Sequence, residues 1–148
     1  MPQSLADLVV HLVFSTKNRV PFVQEDQLPQ LFAYLGGTLR DLDSDSLCIG
    51  GRPDHVHVLF RLSRVHPISK IVEELKKQSS RWAKSAIHPE FYWQAGYGAF
   101  SVSSSKIAVV KRYILNQEEH HRNRTFQDEY RLLLEKHGLG WDERYVWD

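Results

Sequence analysis

The sequence has very little cysteine, almost no net charge and no long apolar run, and each shortage restricts what the protein can be. Cys48 is the single cysteine among 148 residues, so no intramolecular disulfide forms and we expect a reducing compartment. The formal net charge of +1 gives no overall electrostatic argument for nucleic-acid binding. Asp7 and His11 interrupt the apolar stretch near the amino terminus. We therefore expect neither a signal peptide nor a membrane span, and we predict a cytoplasmic protein.

Apolar residues and histidine are what the chain has in quantity. With 42% hydrophobic and 25% charged residues, it can bury a core without metal or disulfide staples. The length predicts one domain over residues 1–148, and we find no internal repeat, low-complexity tract or linker. Eight histidines make metal or proton chemistry worth testing.

Hydrophobic periodicity predicts the element order β-α-β-β-α-β followed by further helices. This α+β order is the ferredoxin-like (RRM-like) pattern, an antiparallel sheet with two helices on one face. Right-handed crossovers place its first and third strands side by side in the centre. We expect a core over about residues 6–103, a helix over about 106–121, and a C-terminal helix and tail over about 126–148. The predicted strands are 7–15, 46–50, 55–62 and 99–103, and the core helices are 25–42 and 68–87.

Two histidines lie one residue apart in the stretch GGRPDHVHVLF, on the third predicted strand. Because residues i and i+2 of a strand point the same way, His55 and His57 share the face opposite Val56 and Val58. The apolar face is expected to pack on the two helices, so both imidazoles face the other, open side of the sheet. The same alternation puts His11 of the first strand on that open face.

A histidine pair of this kind is not specific by itself, because sheet histidines satisfied by hydrogen bonds and many metal proteins share it. The chain has no cysteine cluster and no HExxH motif. It does offer Tyr113 and Gln117, which are four residues apart and therefore on one face of the predicted helix 106–121. Taken alone, this helix is better explained as an ordinary amphipathic helix with a core tyrosine.

The combination of HVH and a later Y-x-x-x-Q resembles the single-tyrosine transposases of the insertion-sequence-200-like family. These enzymes belong to the His-hydrophobic-His superfamily of single-strand DNA nucleases. The likeness runs nearly end to end, through the stretches HLVFSTKNR, GGRPDHVHVLF, ISKIVEELKKQSSRW, WQAGYGAFSVS, YILNQEEHH and DERYVWD.

The resemblance implies a complete chemical site. His55, His57 and Gln117 match the ligands of a divalent metal, Mg²⁺ or Mn²⁺, and Tyr113 matches the nucleophile. The implied activity is cleavage and rejoining of single-stranded, hairpin-flanked DNA through a 5′-phosphotyrosine intermediate. The family also implies a homodimer in which the tyrosine helix of one subunit can complete the site of the other.

Two further groups of residues are candidates for roles around this site. His11 and His120 are possible acceptors of the phenol proton, although a structural role explains either of them as well. Basic side chains near the first strand, before the third strand and along the second helix are candidate DNA contacts, although a row of basic residues on a helix is also typical of a solvated face. These candidates are Lys17, Arg19, Arg52, Lys70, Lys77 and Arg81.

Other functions remain open at this level. A domesticated relative would nick repeated hairpins without moving an element of its own. A non-catalytic module would bind single-stranded nucleic acid on the open sheet face, although RRM-type modules use aromatic residues where this chain has histidines and aliphatic residues. A zinc hydrolase would need a carboxylate or cysteine that the motifs do not reveal.

Overall fold

The computed structural model describes residues 2–148. Four strands and five α-helices follow one another in the predicted order, with single turns of 3₁₀ helix at Lys17–Arg19, Glu25–Gln27 and Ser104–Lys106. Among the described residues, none of the helices is both long and apolar enough to cross a bilayer. The elements are β1 (Val9–Ser15), α1 (Leu28–Asp41), β2 (Asp45–Arg52), β3 (His55–Arg61), α2 (Ile68–Ala86), β4 (Gly98–Val102), α3 (Ile107–Leu115), α4 (Gln117–His120) and α5 (Phe126–Lys136).

The sheet has the strand order β2-β3-β1-β4, and each neighbouring pair is antiparallel. β1 and β3 are therefore the central strands, which confirms the predicted ferredoxin-like α+β fold. In the register of these two strands, His57 lies opposite Val13 and His11 lies opposite Leu59. This register brings His11 and His57 close together on one face of the sheet.

The main hydrophobic core lies between α1, α2 and the other face of the sheet. Val56, Val58 and Phe60 of β3 are almost completely buried there, as strand alternation predicts. The first helix supplies Leu31 and Leu35 at helical spacing, both fully buried. Each such side chain contributes about 1.5–3 kcal/mol on burial, so this face supplies the main hydrophobic core of the fold.

The histidine face is covered rather than open, and α3 covers its β2 side. Ile114 of α3 is buried in a small cluster with Val9 and Leu59. This close contact requires glycine at position 50, since a Cβ atom there would lie 2.6 Å from the carbonyl oxygen of Ile114. The backbone of α3 therefore rests directly on β2, and this contact fixes the position of the helix that carries Tyr113.

The other half of the same face is covered by α5 and the C-terminal tail. Phe126 and Tyr130 of α5 pack with Val13 of β1 in a second apolar cluster. The helix begins at a Thr125 cap, whose hydroxyl oxygen accepts the backbone N–H of Asp128 at 3.1 Å. The aromatic tail packs back on the body through Val146 and Trp147, among others. The sheet thus lies between two helical layers.

The predicted tyrosine helix over 106–121 is interrupted at Asn116 (φ −98°, ψ 25°), which separates α3 from α4. Asparagine has a low helix propensity because its side chain competes for backbone hydrogen bonds. The break lies between Tyr113 and Gln117, so these residues are not related by one continuous helical turn. The first helix, α1, begins at Leu28 and not at the predicted residue 25, because Glu25–Gln27 form a 3₁₀ turn before it.

Candidate active site

The two histidines of β3 form the floor of a buried polar cluster on the covered face. The side chains of His55 and His57 have no solvent exposure. His57 Nδ1 shares a hydrogen bond of 2.8 Å with Nε2 of His11 on the neighbouring strand. The other histidine of the strand, His55, donates from Nδ1 to a carboxylate oxygen of Asp54 at 2.7 Å. Strand pairing and the preceding turn therefore hold both rings in fixed orientations.

The helices that cover this face bring the predicted tyrosine and glutamine to the histidines. Gln117, at the start of α4, is 2% exposed, and its Oε1 lies 2.9 Å from His55 Nε2. The ring of Tyr113 stands edge-on to the ring of His57, with 5.8 Å between centroids. All four residues that match the family motif therefore meet within one chain, with the tyrosine helix resting on its own sheet.

Glu129 lies at the centre of the cluster, although no motif in the sequence indicated it. It is 1% exposed. Its Oε1 lies 3.1 Å from Nε2 of His57 and 3.1 Å from Nε2 of His121. Its Oε2 accepts the amide N–H of Gln117 at 3.0 Å and the hydroxyl of Tyr113. The available signal was a carboxylate on the apolar stripe of α5, between Phe126 and Leu133, where burial without partners is very costly.

His121 is a second residue of the cluster that no motif indicated, and its neighbour His120 lies against Tyr113. The ring of His120 stacks on the ring of Tyr113 at 4.6 Å between centroids. Its Nε2 atom is buried and has no hydrogen-bond partner among residues 2–148. A stacked ring does not point a nitrogen at the phenol oxygen, so His120 is poorly oriented to take the proton of Tyr113. The ring centroid of His11 lies 6.3 Å from that of Tyr113, and the Nε2 atom of His11 shares a hydrogen bond with His57 instead.

The electrostatics of the cluster keep the phenol protonated. Burial and the negative charge of Glu129 raise the pKa of Tyr113 well above its ordinary value. Burial alone would raise the pKa of Glu129, but hydrogen bonds from His121 and His57 hold it far below its ordinary value. Burial also lowers the pKa values of His57 and His11. The cluster therefore contains a carboxylate, a neutral His11 and a neutral tyrosine at neutral pH.

The donor atoms of the cluster fit a divalent metal. Because Asp54 accepts the Nδ1–H of His55, the neutral ring presents the Nε2 lone pair to Gln117 Oε1, another acceptor. The amide of Gln117 is oriented this way by its N–H donation to Glu129. Two lone pairs that face each other at 2.9 Å suit a cation between them. A carboxylate that accepts the other ring N–H, as Asp54 does here, commonly orients a histidine that binds metal.

Two clefts lead towards the cluster. One has a volume of about 550 Å³ and is lined by Arg52, His121 and Arg124. The other has a volume of about 480 Å³ and reaches Tyr113 and Glu129 themselves. Basic side chains line the second cleft as well, at Lys106, Arg124 and Lys136. Both clefts therefore combine access to the cluster with positive charge.

The six basic residues predicted to contact DNA are divided between the two sides of the sheet. Arg52 lines the first cleft, where its guanidinium pairs with Glu25. Arg19 donates to the carbonyl oxygen of Trp147 at 2.9 Å, and Lys17 follows β1 on the surface. The three residues of α2 lie across the sheet from the cluster, and two of them pair with Glu74. These three are Lys70, Lys77 and Arg81.

Comparison with known proteins gives one family and a shared fold. Residues 4–117 match the family model described as IS200-like transposase. A candidate transposase from Deinococcus radiodurans R1 superposes with a TM-score of 0.63 at 26% identity, covering 79% of this chain and 98% of that one. A REP-associated tyrosine transposase bound to a REP hairpin gives a TM-score of 0.62 at 17% identity, covering 82% and 73%. A search of curated protein sequences gives no match.

Proposed function

This chain belongs to the IS200-like transposase family, and we propose that it is a metal-dependent single-strand DNA endonuclease and strand transferase. In this proposal it acts on hairpin-flanked DNA through a covalent 5′-phosphotyrosine intermediate. The observation that carries the proposal is the meeting of Tyr113, His55, His57 and Gln117 in one buried cluster. A core tyrosine in an ordinary amphipathic helix would have no reason to share a cluster with both histidines.

Tyr113 is the proposed nucleophile. Its phenol oxygen attacks a backbone phosphorus, a new P–O bond to tyrosine forms, and the bond to the 3′ oxygen breaks. The phenol proton leaves and the departing 3′ oxygen gains a proton, so a free 3′-OH remains beside a 5′-phosphotyrosine. The same hydroxyl, or one from another DNA end, reverses the step and restores a phosphodiester without an external energy source.

His55, His57 and Gln117 are the proposed family ligands of the metal. A bound Mg²⁺ or Mn²⁺ would supply a Lewis acid that polarises the scissile phosphate and orients it. Two neutral imidazoles and a neutral amide leave the charge of the cation available for phosphate oxygens. Imidazole nitrogen suits Mn²⁺ better than Mg²⁺, so we expect Mn²⁺ to bind more tightly to these residues.

Tyr113 must leave Glu129 before it can attack. While its hydroxyl donates to that carboxylate, its pKa is raised and the phenol is a poor nucleophile. The 480 Å³ cleft that reaches both residues is the proposed path for single-stranded DNA. The basic side chains that line this cleft would bind the DNA phosphates. We therefore interpret the described arrangement as a resting state of the site.

Hairpin DNA is the proposed partner. The solved REP-associated tyrosine transposase is bound to such a hairpin, and we extend this substrate class to the present chain as a proposal. The homodimer predicted from the sequence also stays a proposal. The completeness of the cluster within one chain supports catalysis in cis rather than an exchange of tyrosine helices between subunits.

A metal-dependent hydrolase is the second candidate, and Glu129 is the observation that favours it. The carboxylate that the motifs did not reveal is present beside His55 and His121. Two histidines and one carboxylate form a familiar set in metallohydrolases, where water rather than tyrosine is the nucleophile. The two functions differ in one product, because only the tyrosine mechanism leaves DNA covalently attached to the protein.

The deciding experiment detects that attachment. Wild-type protein is incubated with 5′- and 3′-labelled single-stranded hairpins and Mg²⁺ or Mn²⁺, and adducts are resolved on a denaturing gel. We expect an adduct for the wild type and none for Tyr113→Phe. Tyr145→Phe is the matched control, since Tyr145 is 64% exposed in the tail, and it should form adduct normally. Cleavage that persists in Tyr113→Phe without adduct would support the hydrolase and refute the transferase.

A further inference from the structure

His121 presents a lone pair to the cluster from outside the residues that match the family. Its Nδ1 donates to the backbone carbonyl of Arg124 at 2.7 Å. In the neutral ring, Nε2 is therefore an acceptor, and it lies 3.1 Å from Gln117 Oε1 and 3.1 Å from Glu129 Oε1. His121 is thus fixed in the same tautomer as His55, by a backbone carbonyl where His55 has a carboxylate.

Acceptor atoms converge on one point from three segments of the chain. The Nε2 atom of His55 lies 3.4 Å from Glu129 Oε1, in addition to its contact with Gln117 Oε1. One ligand atom each from His55, His121 and Glu129 lies within 4.8 Å of the others. With the Nδ1–H of His55 and of His121 donated elsewhere, the neutral rings place no hydrogen between these acceptor atoms, so their mutual approach requires either a shared proton or a cation among them.

The spacing of these atoms matches that of ligands around one metal. Two ligand atoms about 2.0–2.3 Å from a metal lie roughly 3–3.5 Å apart at tetrahedral or octahedral angles. The contacts of Glu129 Oε1 with the three imidazole nitrogens are 3.1, 3.1 and 3.4 Å. His57 joins this set when its Nδ1–H donates to His11, which leaves its Nε2 lone pair for the metal.

We propose that Glu129 and His121 are ligands of the site's metal, in addition to the histidines and glutamine of the family motif. This inference rests on the proposed function only in using the same metal site. A loop after α4 and the helix α5, both beyond residue 117, then complete the coordination. Without metal, a proton shared between His121 Nε2 and Glu129 Oε1, which lie 3.1 Å apart, relieves the repulsion between the two acceptors. A divalent cation takes the place of that proton.

An anionic ligand changes which metals the site holds. With a carboxylate added to imidazoles, the donor set resembles the two-histidine-one-carboxylate sites of first-row transition metals. Glu129 also connects the metal site to the nucleophile, because its Oε2 accepts the Tyr113 hydroxyl. We therefore expect Mn²⁺ and Co²⁺ to bind more tightly than Mg²⁺ because of the imidazoles, and we expect loss of the Glu129 carboxylate to weaken the binding of all three cations.

Metal binding in the absence of DNA tests the inference. Mn²⁺ is titrated calorimetrically into the metal-free full chain, and Co²⁺ binding is followed by its visible absorption spectrum. We expect Glu129→Gln and His121→Asn each to weaken Mn²⁺ binding by about 10-fold or more, since even outer-shell partners cost 10–100-fold. The Co²⁺ spectrum should change in both. Glu135→Gln, an exposed carboxylate on the same helix, is the control that should bind as the wild type does.

Folding is checked separately, by circular dichroism and urea unfolding of each variant. If Glu129→Gln does not fold, Glu129→Asp retains the carboxylate on a shorter side chain, and its altered Co²⁺ spectrum gives the same answer. Wild-type affinity in Glu129→Gln and His121→Asn, with loss of binding in His55→Ala, overturns the inference and leaves the proposed function intact. Failure of the proposed function appears elsewhere, as absence of the tyrosine–DNA adduct.

Discussion

Gly50→Ala is the substitution that most directly tests how the tyrosine helix is held. The added Cβ would lie 2.6 Å from the carbonyl oxygen of Ile114 and 2.8 Å from its Cγ2 atom. Ordinary contact begins near 3.4 Å, so α3 must retreat from β2 by about 0.8 Å. Neither atom is the end of a long flexible side chain, so the shift has to come from the helix backbone.

The expected consequences concern both stability and rate. Overpacking of this kind costs about 1–3 kcal/mol of unfolding free energy. The displaced helix carries Tyr113 and leads into Gln117, and a misplacement of about 1 Å can reduce a catalysed rate by roughly 100-fold. Adduct formation with hairpin DNA should therefore slow by one to two orders of magnitude, although Gly50 itself touches no reacting group.

Urea unfolding and the kinetics of adduct formation measure the two effects. Gly37→Ala is the matched control, since a Cβ there meets no atom within 4 Å and lies inside α1. Alanine in place of glycine in a helix interior should stabilise that variant by about 0.5–1 kcal/mol. Wild-type stability and wild-type rate in Gly50→Ala would refute the direct contact between α3 and β2.

Three further predictions address the site and the fold. Mixing His57→Ala with Tyr113→Phe should restore no adduct, because both residues act within one chain; restored activity would show that tyrosine helices exchange between subunits. Asp54→Ala should weaken Mn²⁺ binding by about 10–100-fold in a calorimetric titration, because the orientation of His55 is lost; unchanged affinity would show that Asp54 does not orient His55 for the metal. Hydrogen bonds from Gln78 and two lysines lower the pKa of Glu74 from 4.5 to about 2. Its contribution to stability is therefore complete above pH 4.5 and is lost as the pH falls towards 2. Glu74→Gln should be less stable than wild type at pH 5, and urea unfolding should show the two proteins converging near pH 2.

The positions of His55 and His57 were predictable because strand alternation is local. Once Val56 and Val58 pack on the helices, both imidazoles must lie on the other face, and the structure bears this out. The antiparallel order with β1 and β3 in the centre followed from the succession of elements and the handedness of crossovers. Neither inference required knowledge of how distant segments dock.

Glu129 and His121 were not predictable in the same way, because their roles depend on tertiary docking. Glu129 reaches the site because the apolar stripe of α5 packs on β1 and β4, and no local sequence pattern specifies this contact. His121 and His120 are adjacent in sequence, and only the folded chain shows that His121 contacts Glu129 while His120 stacks on Tyr113.

The two oxygens of the Glu129 carboxylate contact different parts of the site, and the charge on one affects the hydrogen bond of the other. Its Oε1 contacts the imidazoles that would share a metal, while its Oε2 holds the hydroxyl of Tyr113. A metal that draws charge from this carboxylate weakens it as an acceptor for the phenol, and an incoming phosphate brings further negative charge beside it. Both changes favour release of Tyr113 from Glu129, so loading with metal and DNA would convert the resting arrangement into one in which the tyrosine can attack.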